Sequence, residues 1–342
     1  MNDTFTKKFS GIPIYSLYGQ TRKPTPEMLS NLDAIVIDLQ DVGARYYTFI
    51  WTMTLVLEAS AAAGLPVVVL DRPNPLGGAV VEGPLLMPTH TSFVGLRAGL
   101  PIRHGLTIGE IARLVVAEFT TPPSAGFELH VLKMEGWERE MEYEDTGLPW
   151  VFPSPNMPTV DTARVYPGMC LLEACSVSEG RGTTRPFELV GAPWIDPYAL
   201  KERLDSVGVE GCVWRPVYFE PTFHKYAHSI CGGVQIHVTD RKKFKPVFAG
   251  FALIWAIRKQ GNVMEAGKSY EFDPNKEMKL VFGFKAPPYE YENELMPFDI
   301  LSGSEKWREM LEKDLESPLE IEKMWLEGEQ EWLERRKKYL LY

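Results

Sequence analysis

The sequence predicts an α/β protein, with a Rossmann-like parallel-sheet subdomain followed by a second, smaller α+β subdomain. Three observations predict it. Residues 33–40 (DAIVIDLQ) and 65–71 (LPVVVLD) are short apolar runs that end in polar residues, as buried parallel strands do. Residues 47–63, between them, contain neither Pro nor Gly and stop at Gly64, a residue suited to ending a helix, so the unit is strand, helix, strand with a right-handed crossover. At 342 residues the chain also exceeds the usual size of one core.

The remaining elements follow in order. Thr107-Ile108-Gly109-Glu110 has the form of a capping box and opens a helix through Phe119, whose Ile108, Ile111, Ala112, Val115 and Phe119 make an apolar stripe. Residues 127–134 form the next strand candidate. Pro149, Pro153, Pro155, Pro158 and Pro167 restrict the backbone, so most of 148–167 is expected to be an ordered loop, neither helix nor central strand. Beyond Trp194 the pattern changes to a helix at 197–207, strands at 211–219 and 233–240, and a helix at 245–259. From Ser304 onward Glu, Lys, Trp and Leu dominate, with apolar residues spaced for amphipathic helices that pack back on the body. The expected division is 11–195 for the Rossmann-like part with its loops, 196–303 for the smaller part and 304–342 for a helical tail.

Composition narrows the partners. A net charge of −10 with few clustered basic residues argues against nucleic acid, which demands groups of Lys and Arg for its phosphates. No apolar run approaches the roughly 20 residues of a membrane span, and the start lacks a signal-peptide core, so the chain as written is expected in the cytoplasm. Cys170, Cys175, Cys212 and Cys231 show no CxxC spacing and no His at metal-ligand intervals, which indicates neither zinc nor a redox dithiol. GxGxxG, GxxxxGK[ST] and GxSxG are all absent, so neither a nucleotide nor a Ser hydrolase is implied, and no cofactor or metal is expected.

Ligands of open parallel sheets sit outside the carboxyl ends of the strands, and the loops there carry the polar residues. The first holds Asp38, Gln40, Asp41, Arg45, Tyr46 and Tyr47; it is either a site or a helix cap in which an acid pairs with Arg45. The second holds Asp71, Arg72 and Asn74 in a Pro- and Gly-fixed turn, where Asn74 either reaches a ligand or stabilises the loop. Arg103 and His104 precede the capped helix, whose free N–H groups favour an anion. Densest of all is 147–194, where Glu179 and Arg181 lie between glycines; this is the lining of a site or a surface turn with an ion pair. A cleft of carboxylates, amides, Arg and aromatics is the equipment for cleaving a glycosidic bond, and a sugar-binding module uses the same residues without a tuned acid.

The segments SLYG (16–19), DLQDVGARYYT (38–48), DRPNP (71–75), RHGLTIGE (103–110), SPNMPT (154–159) and SEGRGTTRPFE (178–188), then GAPW, occur in order. Together they resemble the bacterial peptidoglycan exo-β-N-acetylmuramidase family (NamZ-type) over about residues 11–303. The resemblance implies a Rossmann-like part, a second part, a cleft between them, and release of terminal N-acetylmuramic acid from muramyl saccharides of peptidoglycan. With it, Arg45, Arg103 or Arg181 becomes a partner for the lactyl carboxylate, since Arg grips carboxylates bidentately. Gln40, Asn74 and Asn156 become holders of hydroxyl and acetamido groups, and Tyr46 or Tyr47 a flank for the ring. Glu179 is the first choice for protonating the leaving oxygen, with Asp38 or Asp41 as its partner.

Two departures stand out. Members similar to this chain carry a segment ahead of SLYG with opening strands and a Pro-Glu-His-Gly motif whose glutamate is a candidate acid, and they tend to be exported. This chain starts after that motif, which leaves an enzyme with a misassigned or truncated start, or a binding remnant, and predicts self-association through an open sheet edge. They also tend to read Gly-Thr-Asn where this chain has Ala174-Cys175-Ser176.

Overall fold

The computed structural model describes residues 11–119, 121–263, 281–313, 315 and 317–342. After a short helix α1 (Pro26–Leu29), strand β1 (Ile35–Ile37), helix α2 (Phe49–Ala63), strand β2 (Val67–Leu70), helix α3 (Ile108–Ala117) and strand β3 (Leu129–Leu132) build a parallel sheet in the order β1-β2-β3. Ile35, Val36 and Ile37 pair with Val67, Val68 and Val69. Gly64 ends α2 in the left-handed region at φ 70°, its N–H donating to the Ser60 carbonyl. α3 carries the expected reciprocal cap: Thr107 Oγ1 accepts from Glu110 N at 3.2 Å, and Thr107 N donates to the Glu110 carboxylate at 3.0 Å.

Period-two alternation divides this sheet into unlike faces. Ile37, Val67 and Val69 pack with Ile50, Met53 and Leu57 of α2 and Ile111, Leu114 and Val115 of α3 in one core. On the other face Val36 (62% exposed), His130 and Leu132 stand in the open. β1 pairs only with β2 among the described strands. No helix among the described residues is long and apolar enough to cross a membrane.

The second half comprises helix α4 (Val160–Met169), strand β4 (Leu189–Ala192), helix α5 (Pro197–Val207), strands β5 (Cys212–Phe219) and β6 (Cys231–Val238), helix α6 (Pro246–Arg258), the strand pair β7 (Asn262–Val263) and β8 (Val281–Phe282), and helices α7 (Pro297–Ser302), α8 (Glu305–Glu312), α9 (Leu319–Lys323) and α10 (Leu326–Arg336). β6 lies between β4 and β5, antiparallel to both. α6 is buried from Pro246 to Ile257 and is the axis of this core, which is why its sequence is apolar on every side. It crosses α4 glycine against glycine, since a Cβ on Gly250 would overlap the Gly168 carbonyl.

Residues 148–159 are the expected loop, but a helix follows where none was expected: Thr159 caps α4 by accepting from Thr162 N, and Pro167 is tolerated in the last turn, where the chain tightens into a 3-10 segment at Cys170–Ala174. Burial of Ala163, Val165, Tyr166 and Met169 outweighs the hydrogen bond lost at Pro167. The α6 core takes in residues on both sides of 195, since α4, the 3-10 turn and β4 join it together with Val42, Ala44, Tyr46, Tyr47, Val94 and Ile102. The tail is shared: Trp307, Met310, Leu311, Ile321 and Trp325 enter that core, and Trp332 and Tyr339 enter the first.

Candidate functional site

Most polar residues of the strand-end loops face inward and brace the turns. Arg45 is wholly buried and donates to the carbonyls of Pro84 (2.9 Å), Leu100 (2.7 Å) and Leu301 (2.7 Å), with burial holding its guanidinium down to about 10. Arg103 is likewise buried and donates to the Leu76 carbonyl. Asn74 donates to the Leu106 carbonyl and accepts from Leu76 N. Asp41 accepts from Gly43 N at 2.8 Å and lies 3.2 Å from Nε2 of the buried His104, and the buried Tyr46 hydroxyl donates to the Pro167 carbonyl. Arg45, Arg103, His104, Asn74, Asp41 and Tyr46, all expected at a substrate, are thus buried on contacts within the protein. These groups answer main-chain carbonyls and amides that the irregular loops leave unpaired, which a buried loop requires.

Two residues of those loops do open outward. Asp38 follows β1 and Arg72 follows β2, and Arg72 Nε donates to Asp38 Oδ1 at 2.6 Å with both side chains nearly half exposed. That hydrogen bond holds the Asp38 carboxyl below its ordinary range. A cavity of about 430 Å³ lies to one side, lined by Asp71, Met134, Glu135, Trp137 and Met141, and one of about 410 Å³ to the other, lined by Gln40, Phe49, Tyr143 and Phe152. Asp38, Arg72 and Leu148 line both, so the ion pair lies where the two cavities adjoin. Gln40 is held there by bonds from its Nε2 to the carbonyls of Asp41 and Pro73. Asn156 sits half-buried on the adjoining 150–158 loop, its backbone N–H donating to Ser154 Oγ.

A second cluster lies inside the α4–α6 half. Glu179 is 1% exposed, with Oε2 2.9 Å from Lys225 Nζ and Oε1 3.4 Å from Arg181 Nε. Lys225 also donates toward the carbonyls of Leu172, Glu173 and Val177. Arg181 reaches across to Glu173, whose other oxygen accepts from the Tyr289 hydroxyl at 2.8 Å. Burial pushes the Glu173 carboxyl up, but Arg181, Tyr289 and Lys225 more than offset it and hold it below its usual range. Glu179, the first choice for protonating a leaving oxygen, thus has each oxygen facing a cation and neither open to solvent.

The backbone around this cluster is strained. Phe187, His224, Tyr226, His228, Glu290 and Tyr291 all adopt left-handed φ between 44° and 72° without being glycine. Phe187 is held there by its N–H to the Glu179 carbonyl at 2.6 Å, and Arg181 lies over its ring at 5.0 Å. Ring contacts run on from Phe187 to Tyr166 (4.8 Å), Tyr47 (6.0 Å) and Phe49 (5.0 Å), the last a wall of the 410 Å³ cavity. The Tyr47 hydroxyl is buried behind Phe49 with no hydrogen-bond partner among the described residues, and burial pushes it well above its ordinary range. One aromatic chain thus joins the buried cluster to the open groove.

Arg72 was placed in the second strand-end loop without a role of its own, and Glu173 and Tyr289 were not among the candidates. Arg72 was marked by its place directly after a strand, and Glu173 by being a lone acid in an apolar run. Nothing in the sequence marks Tyr289.

The chain matches the family model described as exo-beta-N-acetylmuramidase NamZ, N-terminal, over residues 1–161 and its C-terminal counterpart over residues 164–342. It is similar to the peptidoglycan beta-N-acetylmuramidase NamZ of Bacillus subtilis (strain 168), 52% identical over 248 residues, which are 72% of this chain and 59% of that protein. The chain thus spans less than two thirds of that relative. A solved DUF1343-family protein of Bacteroides fragilis superposes at a TM-score of 0.82 with 31% identity, over 98% of this chain and 82% of its own. A second from the same organism gives 0.72 and 27%, over 97% and 80%. Two family models in tandem, with a relative of this identity, establish that the chain belongs to the NamZ exo-β-N-acetylmuramidase family.

Proposed function

We propose that this protein is a glycosidase that releases terminal N-acetylmuramic acid from peptidoglycan fragments in cell-wall turnover or recycling. The observation that carries the reading is the groove at the strand ends, where a carboxylate, an amide and a partly free guanidinium stand among aromatic faces. Sugars are held by that combination, and a carboxylated sugar needs the cation. Family membership supplies the reaction type.

Asp38 is the catalytic carboxylate of this reading. Held below its ordinary range by Arg72, it is ionised at neutral pH, as the nucleophile or base of a two-carboxylate hydrolysis must be. Glu179 acts through Arg181 and not on the substrate. Self-association through the open β1 edge and bare face belongs to the same proposal, and sedimentation velocity of wild type against Val36→Lys tests it.

The test of the activity is incubation with a chromogenic β-N-acetylmuraminide and the matching glucosaminide, with Asp38→Asn alongside. Hydrolysis of the muraminide alone, reduced by a factor of about 10³ or more in Asp38→Asn, is the expected result. Equal hydrolysis of both sugars, or an unaffected Asp38→Asn, overturns it.

A further inference from the structure

We propose that Arg72 is the specificity-determining residue that selects a carboxylated sugar, with its Nη1/Nη2 edge taking the sugar's carboxylate while its Nε stays on Asp38. The inference rests on the proposed muramidase reading and assigns the acidic group of that substrate to one residue.

An arginine that recognises a ligand carboxylate must reach solvent, border a cavity and keep one two-nitrogen edge free, since the strong form of this contact is a pair of parallel N–H donors. Arg45 and Arg103 fail on the first condition, being buried with their Nη groups spent on carbonyls. Arg139 is tied through Nη1 and Nη2 to Glu110 and the Gly105 carbonyl, and Arg164 through all three nitrogens to Glu142, Glu144 and Asp161. Arg181 is contacted by Glu173 on Nη2 and by Glu179 on Nε. Arg72 alone of these lines both cavities of the groove, is 42% exposed, and has only its Nε engaged among the described residues.

The geometry also explains the companion acid. Asp38 holds the guanidinium through Nε and leaves its Nη edge free where the two cavities adjoin. A sugar carboxylate on that edge shares one planar cation with Asp38, which keeps the ring beside the carboxylate that acts on it. A neutral sugar of the same shape leaves the edge unpaired, and the missing hydrogen bonds are what discriminate.

The experiment compares wild type, Arg72→Gln and Arg72→Lys by calorimetric binding of free N-acetylmuramic acid and N-acetylglucosamine, and by hydrolysis of a chromogenic β-N-acetylmuraminide and its lactyl methyl ester. The melting temperature of each variant is measured alongside, and an exposed pair leaves it nearly unchanged. Expected are a loss of about 100-fold or more in N-acetylmuramic acid affinity and in kcat/KM for the acid substrate in Arg72→Gln, carried by KM, and partial rescue in Arg72→Lys. The methyl ester is expected to be a poor substrate for wild type, and Arg72→Gln is expected to lose a smaller factor on the ester than on the acid. Wild-type binding of N-acetylmuramic acid that survives intact in Arg72→Gln overturns the assignment to Arg72 while leaving the muramidase reading standing. Failure of wild type to bind or hydrolyse any muramyl compound overturns both.

Discussion

The molecule holds two carboxylate–arginine assemblies of opposite character. At the strand ends Asp38 and Arg72 pair in the open with cavities on either side, and in the α4–α6 half the buried Glu179 and Lys225 interlock with the partly buried Arg181 and Glu173 under strained backbone. An exposed pair contributes little to folding because solvent and salt screen it, so a ligand can join it at little cost to stability. In a buried cluster each charge is compensated by another, and removing one strands the rest. Glu179 and Arg181, two residues apart, meet inside a packed cluster, whereas Asp38 and Arg72, 34 residues apart, meet at an open groove, so closeness in sequence does not decide which pair a ligand can reach.

Lys225→Met tests the difference most severely. It leaves Glu179 buried beside Arg181 alone and is expected to cost about 3–5 kcal/mol in urea unfolding; a cost below about 1 kcal/mol means the cluster is hydrated and the contrast fails. Glu82 gives the next largest effect. Burial pushes its carboxyl up to about 7, against the Phe248 N–H and the Arg103 charge that lower it. The folded state therefore binds a proton that the unfolded chain, at the ordinary 4.5, has released. The contribution is full below about pH 4.5 and is lost as pH rises through about 7, some 3 kcal/mol in all. Glu82→Gln is expected to flatten that slope in stability measured from pH 4.5 to 8, and an unchanged slope assigns it elsewhere. Thr107→Ala removes both the α3 cap and the 2.8 Å bond to Asp71 Oδ2 and should lower stability by about 1–2 kcal/mol. Smallest is Arg72→Gln, within about 1 kcal/mol of wild type in the same assay; a loss comparable to Lys225→Met would make the exposed pair structural.

The elements were legible where local chemistry decides them. The reciprocal cap at Thr107 and Glu110, the left-handed stop at Gly64 and the apolar strand runs are properties of a few neighbouring residues, and each appears where the pattern placed it. α4 was not legible, because five prolines argue against a helix locally and only burial against α6 reverses the balance at Pro167. The site was half legible. Asp38 and Gln40 were identified from the strand end and do line the groove, but their neighbours Asp41 and Arg45 turn inward, and alternation through an irregular loop has no period from which to read direction.

By itself the sequence determined the α/β class, the crossover unit, the helix caps and the motifs that mark the family, because these depend on short-range sterics, hydrogen bonding and ordered similarity. Only the tertiary structure decided which arginine is free. Five of the six arginines compared above spend donors on carbonyls or carboxylates that packing brings to them, the Leu301 carbonyl to Arg45 and Glu110 to Arg139 among them. A guanidinium's role is set by which acceptors surround it and whether water can reach it, and both are properties of packing.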